Sequence, residues 1–134
     1  MNRRHFLMTT AAILTVSPAL AAVDYKPGLV QTELAAGKTV FLDFKASWCS
    51  TCAAQERVIN ALLAENPAYS EQITFINVDW DAYKNDALTQ SMNIPRRSTL
   101  VVLKGDKELG RIVAGTSKAD IKALMDTALA AAMS

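Results

Sequence analysis

Two cysteines separated by two residues are the side chains of this sequence most suited to chemistry. Cys49 and Cys52 are the only cysteines among its 134 residues. Such a pair serves as metal ligands, as a structural disulfide, or as a redox couple that exchanges thiols and disulfides. Zinc requires four ligands, and the single histidine, His5, lies in a segment that we expect to be removed. We therefore predict no metal site of that kind.

The spacing of the pair favours redox chemistry over a structural bond. A disulfide stabilises a fold mainly by restricting a long loop of the unfolded chain, and only two residues separate these cysteines. Two thiolates also suit Cu(I), although no third soft ligand lies nearby in the sequence. A copper chaperone, or a binding adaptor that holds its ligand through the thiols, therefore remains the alternative. A redox couple needs no cofactor other than its own disulfide.

The elements that flank the cysteines are a strand and a helix. The segment TVFLDF, residues 39–44, is β-branched and aromatic, which predicts a central strand buried on both faces. Residues 49–65 contain no glycine or proline and carry a helical apolar stripe. A cysteine in the first turn of a helix receives backbone N–H groups and the positive end of the helix dipole, which favours its thiolate. We therefore predict Cys49 as the nucleophile and Cys52, one turn later and deeper, as the resolving thiol.

This segment resembles the active site of the thioredoxin family. The family pattern is met by Asp43, Phe44, Ala46, Trp48, Cys49 and Cys52. The likeness covers nearly all of residues 22–134, including the closing segment TLVVLKGDKELGRIVAGTSKADIKALM. It implies a thiol:disulfide oxidoreductase that acts on protein disulfides and is recharged by a partner. Outside the cytoplasm, that partner would be a membrane thiol-disulfide carrier.

The resemblance also assigns roles to Asp43 and Trp48. In thioredoxins the matching aspartate moves a proton to and from the second cysteine, here Cys52. A carboxylate in a strand buried on both faces should have a raised pKa, which agrees with that role. The alternative is that Asp43 simply forms a hydrogen bond to a neighbour. Trp48 would form part of the surface that touches the substrate, or else be an ordinary core aromatic.

Three residues near the cysteines depart from the family pattern. Ser50 and Thr51 stand where typical thioredoxins have Gly-Pro and strongly oxidising relatives have a histidine, and Lys45 stands in place of a tryptophan. We assign these three residues to tuning of the Cys49 pKa, and the lack of a histidine favours a reductase. Strand alternation puts Lys45 on the side of Asp43, and the alternative is that it is only a surface charge.

The loop opposite the cysteines departs from the pattern further. Ser98 stands where the family has a cis-proline, and Pro95 lies three residues too early. A cis bond before serine would cost roughly 3 kcal/mol, which favours a trans bond between Arg97 and Ser98. We assign Arg97 and Ser98 to substrate binding. The alternative for Arg96 and Arg97 is a solvated pair of charges on a loop.

The remaining elements complete an α/β domain. The predicted order is helix, strand, helix, strand, helix, hairpin and helix, over residues 27–36, 39–44, 49–65, 73–79, 81–92 and 99–113, with Ser117 capping the last helix. Helices between strands imply parallel crossovers, and the hairpin adds antiparallel strands. We expect the thioredoxin fold, with a small mixed sheet of about four strands covered by helices on both faces.

Residues 1–21 have the layout of an export signal. Arg3 and Arg4 precede an apolar run that ends in the small-x-small sequence Ala-Leu-Ala. The opening NRRHFLM resembles the twin-arginine signal with which bacteria export folded proteins. We predict cleavage after Ala21, a mature domain over residues 22–134, and localisation in the periplasm. A transmembrane anchor is the alternative, although the apolar run is short and interrupted by threonines.

Composition and charge fit one globular domain. The chain is 51% hydrophobic and 20% charged. Without Arg3 and Arg4, 12 of its 14 basic residues remain against 13 acidic ones, which gives a net charge of about −1. That balance argues against nucleic-acid binding, and we expect a monomer.

Overall fold

The computed structural model describes residues 22–134, so the predicted export signal, residues 1–21, lies outside the described residues. Within this range the chain forms a mixed five-stranded sheet in the order β1-β3-β2-β4-β5. The strands are β1 (Val23–Asp24), β2 (Thr39–Lys45), β3 (Ile73–Asp79), β4 (Thr99–Lys104) and β5 (Lys107–Val113). The helices are α1 (Leu29–Ala35), α2 (Ser50–Glu65), α3 (Ala68–Gln72), α4 (Trp80–Tyr83), α5 (Ala87–Ser91) and α6 (Lys118–Ala132). None of these helices combines the length and the apolar character that crossing a bilayer requires.

Strand β2 is the centre of the sheet and leads directly to the cysteines. It runs parallel to β3 and antiparallel to β4, and Asp43 is paired with Asn77 on one side and Leu100 on the other. Every residue from Thr39 to Phe44 is buried. The prediction of a central strand covered on both faces is therefore confirmed.

The two faces of β2 contribute to two separate apolar cores. Val40, Leu42 and Phe44 pack into one core with residues of α1, β3 and α5. Phe41 packs into the other core, with residues of α2 and α6. Because side chains alternate along a strand, Asp43 belongs to the face of Phe41, which α2 and α6 cover. The sheet is thus covered by helices on both faces, as predicted.

The chain from β4 onward follows the sequence pattern closely. Strands β4 and β5 form the predicted hairpin, and Gly105 takes up the left-handed conformation, with φ of 60°, in its turn. The side chain of Ser117 accepts the backbone N–H of Asp120 at the start of α6, which is the predicted cap. Both elements are confirmed.

Three features differ from the sequence expectation, and the first is the short helix α3, which was not among the predicted helices. The fifth strand is β1, a two-residue edge strand in which Val23 is paired with Ile76. The single helix predicted over residues 81–92 is wrong, because α4 and α5 are separate. Asp86 divides them: its carboxylate accepts the N–H of Leu88 and caps α5, and it also accepts a hydrogen bond of 2.8 Å from Tyr25, far away in the sequence.

Candidate active site

Cys49 lies at the junction between β2 and α2, where it caps the helix. Its backbone is extended, with φ of −92° and ψ of 112°, and its Sγ accepts the backbone N–H of Cys52 at 3.1 Å. The sulfur therefore takes the place of the side-chain oxygen that usually caps a helix. A negative charge on this sulfur faces a backbone donor and the positive end of the helix dipole, as the sequence analysis predicts for the nucleophile.

The two cysteines form a disulfide, with 5.3 Å between their Cα atoms. Both residues are buried: Cys49 is 4% exposed and Cys52 is 1% exposed. Cys52 is therefore more deeply buried than Cys49, as predicted, but the difference is small. A cavity of about 620 Å³ borders both sulfur-bearing residues, and Lys45, Glu56 and Asp81 also line it. This cavity is the open space beside the disulfide.

Asp43 is buried without full hydrogen bonding. The residue is 6% exposed, and its Oδ1 has no hydrogen-bond partner. Burial raises the pKa of Asp43 to about 7; the positive charge of Lys45 opposes this rise and the negative charge of Glu56 adds to it. The carboxyl group thus gains and loses its proton near neutral pH, the property that proton transfer requires.

Lys45 and Glu56 form an ion pair that borders both the cavity at Asp43 and the cavity at the cysteines. The Lys45 Nζ lies 3.1 Å from the Glu56 Oε1. A cavity of about 400 Å³ borders Asp43, and Lys45, Glu56 and Asn77 line both this cavity and the one beside the disulfide. Lys45 thus lies near Asp43, as strand alternation predicts. The sequence analysis missed Glu56, which offsets the charge of the lysine.

Trp48 lies on the surface beside the disulfide. The residue is 59% exposed, which excludes the alternative of a core aromatic. Its Nε1–H donates to the Asp81 Oδ2 at 2.8 Å, and the Arg97 guanidinium carbon lies 4.5 Å from the centre of its ring. This cation–π contact means that Arg97 is not simply a solvated charge. The exposed Trp48 and the half-buried Arg97 form one platform next to Cys49.

Ser98 lies against both sulfur atoms. It is fully buried, and its Oγ is 3.2 Å from the Cys49 Sγ and 3.1 Å from the Cys52 Sγ. Residues 22–134 contain no cis peptide bond, so the Arg97-Ser98 bond is trans, as the sequence analysis favours. Ser98 instead adopts the left-handed conformation, with φ of 63°. In this conformation its hydroxyl contacts the sulfur atoms of both cysteines.

Gln55, on helix α2, supports the serine loop, residues 93–98, and was not among the predicted site residues. It is fully buried, and its Nε2 donates to the backbone oxygens of Ser98 at 2.9 Å and Gly115 at 3.0 Å. A signal was present, because Gln55 lies between Cys52 and Ile59 on the inward stripe of α2, where a polar residue is unusual. A buried amide in such a stripe indicates a specific polar partner.

Ser50 and Thr51 form the first turn of α2 after Cys49. Ser50 is exposed and Thr51 is half-buried. Neither side chain forms a hydrogen bond to a cysteine sulfur within the part of the chain that the structure describes. Their assignment to tuning of the cysteines stays a prediction. No group of three or more His, Cys, Asp and Glu side chains in residues 22–134 is arranged to hold a metal ion.

Comparisons with known proteins place this geometry in a family. The family model described as thioredoxin matches residues 24–127. Thioredoxin from Mycolicibacterium smegmatis is 28% identical over 96 residues, which cover 72% of this chain and 83% of that protein. Thioredoxin H2-1 from Oryza sativa subsp. japonica is 31% identical over 90 residues, which cover 67% of this chain and 60% of that protein.

Solved structures show the same fold. The crystal structure of Trxlp from Edwardsiella tarda EIB202 matches with a TM-score of 0.66 and 30% identity, over 77% of this chain and 98% of that chain. Thioredoxin from Malassezia sympodialis matches with a TM-score of 0.63 and 23% identity, over 82% of this chain and 96% of that chain. With the family model spanning most of the chain and a cysteine pair at the start of α2, this chain belongs to the thioredoxin family and is a thioredoxin-type disulfide oxidoreductase.

Proposed function

We propose that the protein is a periplasmic reductase of protein disulfides. Thioredoxins act on protein disulfides, and this chain has the disulfide of Cys49 and Cys52 at the start of α2 and a buried carboxyl group, Asp43, on the preceding strand β2. The observation that carries the proposal is the contact between the Cys49 Sγ and the Cys52 N–H, because it stabilises the thiolate that attacks a substrate.

The first step is the attack of the reduced enzyme on a substrate disulfide. The Cys49 thiolate forms a bond to one substrate sulfur, and the bond between the two substrate sulfurs breaks. The second substrate sulfur leaves as a thiolate and takes a proton from water. The product is a mixed disulfide between Cys49 and the substrate.

The second step releases the substrate and needs a base. Asp43 accepts the proton of Cys52, whose sulfur then attacks Cys49 and displaces the remaining substrate thiolate, which is protonated in turn. The substrate gains two electrons, and Cys49 and Cys52 become a disulfide. Because burial raises the pKa of Asp43 to about 7, its carboxylate form decreases below that pH and this step should slow there.

The platform is suited to contact the substrate. Trp48 and Arg97 lie beside Cys49 and are held in place, the indole by Asp81 and the guanidinium by the ring. Ser98 lies behind them, against the sulfurs. We assign Trp48 and Arg97 to substrate binding, since an exposed aromatic ring with a fixed orientation contributes strongly to protein interfaces.

The direction and the compartment rest on sequence features. Ser50 and Thr51 provide no histidine that would stabilise a thiolate as strong oxidants do, which supports a reductase. Residues 1–21 resemble a twin-arginine export signal, which supports the periplasm. A reductase there needs electrons from a membrane thiol-disulfide carrier. The charge balance and the fold suggest no need for a second copy, so we propose a monomer.

Insulin reduction tests the enzymatic proposal. With dithiothreitol as the donor, the purified protein should reduce insulin, and Cys52→Ala should accumulate a mixed disulfide with substrate while Cys49→Ala/Cys52→Ala does not. Absence of both insulin reduction and the mixed disulfide would contradict the enzyme. The stoichiometry of Cu(I) binding under reducing conditions would then test the copper chaperone.

Fractionation of a bacterial host tests the compartment. The full chain should be processed and recovered in the periplasm, with Ala22 as its first residue. Replacement of Arg3 and Arg4 by lysines should leave it unprocessed in the cytoplasm. Equal export of the double-lysine variant would overturn the twin-arginine assignment, and an uncleaved membrane-bound protein would indicate an anchor.

A further inference from the structure

The hydroxyl of Ser98 lies between the two reactive sulfurs, where it can bond to either. We propose that Ser98 is a catalytic residue that donates a hydrogen bond to the Cys49 thiolate and accepts one from the Cys52 thiol in the reduced enzyme. The inference rests on the proposed function, because it concerns the same two sulfurs. It adds a hydrogen-bond donor that contacts both sulfurs and keeps its own proton.

The distances support both hydrogen bonds at once. The Ser98 Oγ is 3.2 Å from the Cys49 Sγ and 3.1 Å from the Cys52 Sγ. A hydroxyl has one proton to donate and two lone pairs that accept, so it can donate to one sulfur while it accepts from the other. With the Cys52 N–H already directed at the Cys49 Sγ, the thiolate would have two donors.

Burial strengthens the effect of the hydroxyl. Ser98 is fully buried and Cys49 is 4% exposed, so few water molecules can replace a lost donor. A hydrogen bond to a charged group is stronger than one between neutral groups, and more so in a site of low dielectric. The neutral disulfide gains less from the same hydroxyl. Ser98 should therefore stabilise the reduced state relative to the oxidised one.

The backbone of Ser98 is held in a conformation that serine rarely adopts. Its φ of 63° lies in the left-handed region, which is unfavourable for residues other than glycine. Three contacts hold it there: its N–H donates to Phe44, and its carbonyl oxygen accepts from Ala114 and from the amide of Gln55. Strained backbone that is fixed by its surroundings is a feature of functional sites. Gln55 is thus a positioning residue for the hydroxyl.

The hydroxyl of Ser98 neither gains nor loses a proton during the reaction. When the Cys49 thiolate attacks a substrate, its charge passes to the leaving substrate sulfur, and Ser98 keeps its proton throughout. When Cys52 loses its proton, the acceptor is Asp43, as in the proposed reaction. Ser98 therefore alters how readily the Cys49 thiolate forms and how stable the reduced cysteine pair is. It is itself neither oxidised nor reduced.

Two variants and a matched control test the proposal. Ser98→Ala removes the hydroxyl, and Ser98→Gly removes it while also relieving the left-handed strain. The control is Asn93→Gly, which puts glycine at another left-handed position, φ of 52°, on an exposed residue of the same loop. The readouts are the midpoint of Cys49 alkylation against pH and the equilibrium of the pair with dithiothreitol.

Both Ser98 variants should raise the alkylation midpoint by about one pH unit and shift the dithiol-disulfide equilibrium several-fold toward the disulfide. Asn93→Gly should change neither. Midpoints equal to that of the unaltered protein in both Ser98 variants would overturn the inference. If the unaltered protein fails to reduce insulin, the proposed function fails instead, and the alkylation midpoints still decide the role of Ser98.

Discussion

Two segments meet at the disulfide, and they are held in different ways. One is the cysteine segment, residues 43–55, which runs from the end of β2 into α2. The other is the serine loop, residues 93–98, which precedes β4. Local rules fix the first: a buried strand ends and Cys49 caps the helix that follows. The second depends on Phe44 and Gln55 of the cysteine segment and on Ala114, which follows β5.

The two segments therefore have different roles: the cysteine segment forms the thiolate, and the serine loop adjusts the stability of that thiolate. The cysteine segment supplies the nucleophile, the resolving thiol and the carboxyl group, and each is recognisable within ten residues of sequence. The serine loop adds one hydroxyl, whose position follows only from the tertiary structure. Loss of either cysteine should therefore remove the reaction, whereas loss of the Ser98 hydroxyl should alter its equilibrium and its pH dependence.

The largest effect should come from the nucleophile. Cys49→Ser should abolish insulin reduction, because a serine hydroxyl does not form the anion that attacks a disulfide at neutral pH. The serine oxygen can still cap α2, so circular dichroism should show an intact fold. Measurable insulin reduction by this variant would mean that the cysteine segment is not the site of the reaction.

A large effect on stability should come from Asp43. Its pKa of about 7, against an ordinary value of 3.8, means that the folded protein binds a proton more tightly than the unfolded chain. This carboxyl group therefore destabilises the fold increasingly as the pH rises from about 4 to 7. The stabilisation produced by Asp43→Asn should be about 2.5 kcal/mol greater at pH 8 than at pH 5, measured by urea unfolding of the oxidised protein.

Asp106→Asn is the control for this measurement, since that carboxylate is exposed in the turn between β4 and β5. Its effect on the free energy of unfolding should be the same at both pH values. An Asp43→Asn variant that also behaves identically at pH 5 and pH 8 would contradict the raised pKa, and with it the basis for proton transfer.

A moderate effect should come from Gln55, which joins the two segments. Gln55→Leu removes the side-chain amide that donates to the backbone oxygens of Ser98 and Gly115. It should therefore reduce the free energy of unfolding by roughly 1–3 kcal/mol. It should also move the alkylation midpoint of Cys49 toward that of Ser98→Ala. Asn60→Leu is the control, because it also replaces an amide side chain by leucine, at an exposed position of α2. A loss of stability without a change in the midpoint would show that Gln55 is structural only.

The smallest effect should come from Lys45. Its charge lowers the pKa of Asp43, but Glu56 lies 3.1 Å away and offsets part of that charge. Lys45→Met should therefore shift the Cys49 alkylation midpoint by only a few tenths of a pH unit, and less in high salt. Lys38→Met, which removes a lysine paired with Glu33, is the matched control. If both variants give the same midpoint, Lys45 is only a surface charge.

The strands and helices that bring the site together could be predicted from local pattern. The buried run of β2, the long α2, the hairpin at Gly105 and the cap at Ser117 each have a short-range signal. The helix predicted over residues 81–92 failed because the cap at Asp86 competes with continuation of the helix. The strand β1 is only two residues long, too short for an alternating pattern to show.

Local pattern predicted the site only where its residues are close in sequence, and the family resemblance alone placed Arg97 and Ser98 opposite the cysteines. Cys49, Cys52 and Asp43 follow from one segment, and burial then gives the carboxyl group its raised pKa. The contacts of Ser98 with the sulfurs cross more than forty residues and depend on a φ of 63° that no local pattern indicates. Glu56 is likewise an ordinary exposed charge until the fold brings it to Lys45.

The reduction potential of the Cys49-Cys52 pair tests the central claim most directly. It can be measured at pH 7 by equilibration with graded mixtures of reduced and oxidised dithiothreitol. A protein-disulfide reductase of this family should have a potential near the thioredoxin value of about −270 mV. A potential near about −120 mV, typical of a strong periplasmic oxidant, would contradict the proposed direction of the reaction.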